Sequence, residues 1–176
     1  VSKVKNKLTN IVFIGSLIKR KKVSQLIDLG AKFPYLKIHI IGNGNLLSHL
    51  QVGASKNIKF YGKLNQLELS EVLKSMDVLF LPSRSEGFPK VILEAAASGI
   101  PSIVYSDYGA SEWIDNGKNG FVVNDFNEVV DVVNKLLIEN HLLQSCSKEV
   151  VYLADEFAWK NKIKDWEEEI NKILNA

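Results

Sequence analysis

The chain has a single cysteine, Cys146, which excludes an internal disulfide framework and any zinc site built on several cysteines. It lacks an apolar run approaching the roughly 18 residues of a membrane-spanning helix, and it lacks an amino-terminal signal-peptide pattern. A soluble, cytoplasmic domain is the expectation. An excess of one charge is also missing: 22 Lys and Arg against 20 Asp and Glu leave a net charge of +2. That is too mild to indicate nucleic acid, and no aromatic residues interleave a basic stripe. His39, His49 and His141 share no spacing with one another or with carboxylates that would mark a metal centre or a triad, so each reads as structural and no metal ligand is assigned. There are no internal repeats, low-complexity tracts or linker-like segments. The chain begins at Val1 and its one methionine is Met76, which suggests a fragment of a longer protein.

At 176 residues and 46% hydrophobic composition the chain can bury one sizeable core. Residues 1–176 are therefore read as a single domain. Its most informative stretch is Ser83 to Pro101, S-R-S-E-G-F-P-K-V-I-L-E-A-A-A-S-G-I-P. The apolar run Val78 to Leu81 precedes it and reads as a buried strand ending at Pro82. Pro89 suits the first position of a helix, and Gly99 with Pro101 supplies the stop.

A strand, a short loop and a helix in that order aim the amides of Phe88, Lys90 and Val91, with Gly87 before them, at whatever lies above the strand end. A helix start there favours an anion, and phosphate is the natural candidate. Glu86 lies in the loop, whereas Glu94 is about 7 Å further along the helix axis at 1.5 Å per residue. The two carboxylates cannot serve one atom. Beside a phosphate they are tolerable if they accept from hydroxyls, and a nucleoside diphosphate sugar offers a ribose at one end and a hexose at the other.

The wording E-G-F-P-K-V-I-L-E-A followed by G-I-P resembles the signature of the retaining glycosyltransferases of the GT-B fold, family four. The resemblance implies that the chain is the carboxyl-terminal, donor-binding half of such an enzyme. Glu94 would accept from the ribose and Glu86 from the transferred sugar. The substrate would be a UDP-sugar or GDP-sugar, with no cofactor. No Asp-x-Asp occurs, so the metal-assisted route of the other large glycosyltransferase fold is not supported. The acceptor half has no counterpart in this chain, and any membrane contact, at the inner face, would come through that missing half.

Taken in order, Asn10 to Gly15 is a short apolar run closed by glycine, the form of a buried parallel strand. Ser16 to Lys22 then carries four consecutive cations before a helix with Val23, Leu26, Ile27 and Ala31 inward. Position after a strand end brings one of the four towards the phosphates, and residue type alone leaves open which. Gly15-Ser16-Leu17 followed by Lys21 resembles the family's Gly-Arg-Leu, gap, Lys arrangement, which selects Lys21 as the diphosphate contact and a catalytic partner of Glu86. Ser16 stands where the family has arginine, and Lys22 where it has glycine. The loss removes one diphosphate charge, which Lys19, Arg20 or Lys22 would have to replace.

Leu36 to Ile41 is the next strand. Gly42-Asn43-Gly44 after it is a weak dinucleotide fingerprint, because Leu47 fills the third glycine position, and a tight strand-to-helix turn explains it. Ile58 to Tyr61 with Gly62 is a third strand, leading to a helix with Leu67, Val72, Leu73 and Met76 inward. By resemblance the loop after it, Gly62 and Lys63, approaches the nucleobase. Ser102 to Tyr105 and Gly120 to Val123 read as strands flanking a turn, Asp107 to Ser111, and a short helix, Glu112 to Asp115. Asp125 and Glu128 have capping-box spacing ahead of a helix with Val129, Val132, Val133, Leu136 and Leu137 inward. A further helix follows from about Leu142. The last carries Trp159, Ile163, Trp166, Ile170 and Ile173, a stripe that reads as core packing, although in the resembling family the final helix reaches back towards the other domain.

Alternating strands and helices with short connections make a Rossmann-like α/β parallel sheet covered on both faces. Two rival functions share that architecture: a non-catalytic nucleotide-sugar-binding module, and a sugar-nucleotide epimerase of the non-hydrolysing type.

Overall fold

The computed structural model describes residues 4–87 and 89–174. Six strands, β1 (Asn10–Ile14), β2 (Lys37–Ile41), β3 (Ile58–Gly62), β4 (Val78–Leu81), β5 (Ser102–Tyr105) and β6 (Gly120–Val123), form one sheet in the order β3-β2-β1-β4-β5-β6. Every adjacent pair is parallel. The helices are α1 (Ser24–Lys32), α2 (Leu47–Val52), α3 (Gln66–Leu73), α4 (Lys90–Ala97), α5 (Phe126–Ile138), α6 (Asn140–Glu156) and α7 (Trp159–Leu174). Strands β4 and β5 are buried at all four positions, as continuous apolar runs in a sheet covered on both faces should be. Phe13, Ile38, Ile40, Phe80 and Ile103 are fully shielded. Each such side chain contributes about 1.5 to 3 kcal/mol by leaving water.

Strand order reverses between β1 and β4, so the connections leaving these two neighbours depart to opposite sides. A crevice opens at their carboxyl ends, the place where open α/β sheets take ligands. The segments after β1, β2 and β3 are laced by backbone hydrogen bonds. Gly15 N donates to Ile41 O at 3.0 Å, Leu17 N to Asn43 O at 3.0 Å, and Gly42 N to Gly62 O at 2.7 Å. The Gly-x-Gly after β2 is explained by this approach. A Cβ on Gly42, whose φ is +135°, would lie 1.9 Å from Gly15 O, and one on Gly44 would lie 2.4 Å from Leu17 O.

Several local expectations are corrected. Pro89 is the residue before α4 rather than its first helical one, with φ −77° and ψ 106°, because its extended ψ turns the chain into the helix. Helix α1 buries Leu26, Leu29 and Gly30, leaving Ala31 exposed, since it starts at Ser24 after a separate short 3-10 turn, Lys19–Lys21. Helix α3 ends at Leu73, short of the buried Met76, and near its start Leu67 faces solvent while Leu69 packs inward. Its start is fixed by Asn65 and Glu68, a reciprocal capping box. Asp125 caps α5 through the amides of Asn127 and Glu128, but the Glu128 carboxylate accepts from Asn124 N at 2.8 Å instead of closing the box. Two 3-10 turns, Ser106–Tyr108 and Ala110–Glu112, replace the short helix expected at Glu112 to Asp115. The tryptophan stripe of α7 is not in the core: Trp159 is 75% and Trp166 66% exposed, with Ile170 and Ile173 beside them. Nothing among the described residues covers that face.

Candidate functional site

Two elements meet at the switch point. The 3-10 turn after β1 carries Lys19, Arg20 and Lys21, and it is held by Lys21 N donating to Ile18 O and by Lys22 in the left-handed region at φ 48°. The loop after β4 carries Ser83 to Gly87. Lys21 Nζ donates to Glu86 Oε1, and Arg20 donates to the Ser85 carbonyl while lying 3.7 Å from Glu86 Oε2. The Ser83 hydroxyl, fully buried, donates to Ser85 O at 3.1 Å.

The Glu86 side chain is only 9% exposed. Burial alone would raise its pKa. The hydrogen bond from Lys21, with the charges of Lys21 and Arg20, outweighs that and holds the carboxyl below the usual value of 4.5. Glu86 is therefore ionised at neutral pH.

Helix α4 begins directly after this loop with no side-chain cap, and among the described residues no hydrogen bond is made by the amides of Lys90 and Val91 in its first turn. Pro89 is buried and Val91 packs against the core, which fixes the helix start, whereas the Lys90 side chain is exposed. Phe88 lies outside the described residues. Glu94, one turn further on, is exposed.

A second part of the crevice is a cavity of about 390 Å³ at the carboxyl ends of β1, β2 and β3. Gly15, Ser16 and Lys63 line it together with Gly42, Asn43 and Leu64. Gly62 has φ +70° and its carbonyl is committed to Gly42 N, so it shapes this wall rather than presenting its oxygen. The structure thus brings together Lys21, Glu86 and Gly87 with the α4 amides, and separately gathers Gly15, Ser16 and Lys63 at the cavity.

Sequence reasoning missed what holds the Glu86 loop from its other side. Arg84 Nη1 lies 3.0 Å from each Asp107 carboxylate oxygen, its Nη2 donates to Asn124 O at 2.6 Å, and the guanidinium sits 4.4 Å over the Tyr105 ring. Tyr105 in turn donates to Gln25 Oε1 at 2.9 Å. One arginine joins the ends of β4, β5 and β6. Its partners are 23 and 40 residues away, so no local pattern announces it. Tyr108, in the same region, has a buried hydroxyl without a hydrogen-bond partner among the described residues. Burial first, then the charges of Glu86 and Asp107, raise its pKa.

The chain is thus a Rossmann-like parallel α/β domain with a cation, a half-buried carboxylate and an uncapped helix start at its switch point. Residues 1–150 match the family described as glycosyl transferases group 1, and the chain belongs to that family. An uncharacterized glycosyltransferase of Methanocaldococcus jannaschii is 30% identical over 88% of this chain and 43% of its own length. Another, from Haemophilus influenzae, is 26% identical over 94% of this chain and 49% of its own. The chain thus spans about half the length of these relatives. Among solved structures, Anabaena HepE in complex with UDP and glucose superposes with a TM-score of 0.81 at 20% identity, covering 95% of this chain and 49% of that one. The carboxyl-terminal domain of a group 1 glycosyl transferase, LpcC, from Francisella tularensis gives 0.72 at 23% identity, covering 85% of each chain. Among the described residues no helix is long and apolar enough to cross a membrane.

Proposed function

We propose that the chain is the donor-binding domain of a retaining, metal-independent glycosyltransferase of family four that moves a hexose in polysaccharide or glycolipid synthesis in the cytoplasm. The meeting of Lys21 with Glu86 beneath the uncapped start of α4 carries this reading. A donor diphosphate would take the Lys21 ammonium and the α4 amides, from Gly87 through Lys90 and Val91, which stabilise the charge that grows on the leaving group. Glu86, ionised and fixed in place, accepts from the hydroxyls of the transferred sugar. Glu94 accepts from the ribose. The cavity bounded by Ser16 and Lys63 receives the nucleobase of a UDP-sugar or GDP-sugar, and no cofactor takes part.

The bound ligands named for structural relatives support the donor class: UDP with glucose for HepE, and UDP with GlcNAc for the pneumococcal O-GlcNAc transferase GtfA. The acceptor would bind on a second domain, in keeping with relatives about twice as long. Calorimetric titration of the 176-residue chain with UDP, GDP, UDP-glucose and a GDP-hexose tests the reading. Binding of one nucleotide series without transfer to added acceptors is the expected outcome. Failure of every nucleotide to bind overturns it, and sustained transfer overturns the need for a second domain.

A further inference from the structure

Charge is segregated along this chain to a degree that its balanced total conceals. Residues 1–67 hold twelve of the 22 Lys and Arg but only one of the 20 Asp and Glu, Asp28. No acid occurs from residue 29 to residue 67, and the other 19 fall after it. In the fold the cationic part supplies β1, β2, β3, α1 and α2, with β3 the outermost strand of the sheet, while Lys5 packs against α6 through Ser147 and Arg20 and Lys21 reach Glu86.

The lysines at that margin form an array. Lys56 lies just before β3, Lys59 within it and Lys63 just after it, all exposed. At about 3.3 Å per residue they extend roughly 20 Å along the strand. Lys37, exposed at the start of the neighbouring strand, joins Lys56 and Lys59 around a shallow cavity of about 430 Å³. None of these four is in an ion pair among the described residues. Tyr35, which lines the same cavity, is 65% exposed, and Val52, 90% exposed, ends α2 four residues before Lys56.

Lysines on an edge strand discourage edge-to-edge aggregation. That role needs one or two charges on the strand itself, and it does not account for the absence of acids across residues 29–67 or for Lys37 on an inner strand. The array is also too wide for one small anion. We infer that the β3 margin of the sheet is a docking surface for an anionic phospholipid bilayer, with Tyr35 and Val52 entering the headgroup layer. Unpaired lysines near such a surface are each attracted to it, and exposed apolar side chains among them add interfacial contact. The acidic β4 to β6 half would be repelled, so the domain binds in one orientation. The strands then lie along the bilayer, and the crevice at their carboxyl ends opens beside the surface instead of being buried by it. Lys37, Lys56 and Lys59 lie outside the donor site, whereas Lys63 borders the proposed nucleobase cavity, so the first three carry the part of this surface that stands apart from nucleotide binding.

The test is co-sedimentation of the 176-residue chain with vesicles of phosphatidylcholine alone and of phosphatidylcholine with about one third phosphatidylglycerol, at low and at physiological salt. Binding only to the anionic vesicles, weakened by salt, is expected. The triple variant Lys37→Glu, Lys56→Glu, Lys59→Glu should lose at least about a hundredfold in vesicle affinity, from about fivefold per lysine. A control triple of equal charge change on the other half, Lys118→Glu, Lys135→Glu, Lys148→Glu, should retain binding. UDP titration and circular dichroism on both triples separate loss of this surface from loss of the donor site or of the fold. Equal losses in the two triples, binding to neutral vesicles alone, no binding to either vesicle, or tighter binding to short duplex DNA than to anionic vesicles at the same salt would overturn the inference.

Discussion

Lys21 Nζ donates to Glu86 Oε1 across the switch point of the sheet, joining residues 65 apart in sequence. The proposed diphosphate ligand and the proposed sugar ligand therefore satisfy each other when no donor is present. Lys21 and Arg20 help hold the Glu86 carboxyl below its usual value, and a diphosphate bound as proposed would compete with Glu86 for the same ammonium.

Replacing Lys21 removes the charge-assisted contact to the diphosphate. Such hydrogen bonds contribute about 1.5 to 3 kcal/mol, so Lys21→Ala should weaken UDP binding by roughly 10- to 150-fold in calorimetry. An unchanged dissociation constant retires Lys21 as a phosphate ligand and shifts attention to Arg20.

The two glutamates should separate by ligand. Glu86→Gln releases Lys21 and should leave UDP bound at least as tightly as before, while UDP-glucose loses about 1 to 3 kcal/mol of affinity because a charge-assisted acceptor for the sugar hydroxyls is gone. Glu94→Gln should weaken UDP and UDP-glucose alike, because both carry the ribose. The opposite assignment, with Glu86→Gln weakening bare UDP and Glu94→Gln silent, would falsify these roles once circular dichroism shows both variants folded.

Gly42→Ala should be among the most damaging small substitutions in the chain. The added methyl has a backbone carbonyl, Gly15 O, as its neighbour at 1.9 Å, and carbonyls cannot rotate away as a side chain tip can. Overpacking of this kind costs about 1 to 3 kcal/mol, and the positive φ adds to it. A lowered urea midpoint is the expected readout. Gly62→Ala, whose Cβ has nothing within 4 Å although φ is +70°, should cost less, and equal losses would contradict the close-approach argument.

Stability should also carry the signature of His39. Its Nε2 is 3.1 Å from Asn10 Oδ1, which can only accept, so Nε2 holds the proton and Nδ1 accepts from the Tyr61 hydroxyl at 2.9 Å. Burial, then Lys59 and Lys37, lower its pKa from 6.5 to about 4. The folded state thus binds this proton less readily than the unfolded chain. The stability linked to it is complete above pH 6.5 and is lost as pH falls towards about 4. Urea midpoints at pH 7.5 and pH 5 should fall more steeply for the wild type than for His39→Gln, and parallel lines for the two would remove His39 from the account.

Much of the fold is legible in local chemistry. Runs such as Val78 to Leu81 are too short for helices and too apolar for exposed strands, so a buried parallel sheet follows from them without tertiary information. The strand, loop and helix around Glu86 are likewise written in Pro82, Pro89 and Gly99, and the loop's wording marks the family. Helix ends were less legible where apolar periodicity ran on past the backbone hydrogen bonds, as in α3. Residue type left open which of four consecutive cations faces the site and the family resemblance selected Lys21; only the tertiary structure showed that Lys21 and Arg20 both reach Glu86, because that partner arrives from the loop after β4. The same holds for Arg84, whose three partners converge from separate strand ends, and for Gly42, where the reason for glycine is a carbonyl on another loop. The stripe of α7 shows the limit most plainly. Periodicity establishes that a helix has an apolar face, but whether that face is buried depends on what lies opposite, and the sequence of the helix itself does not contain that surface.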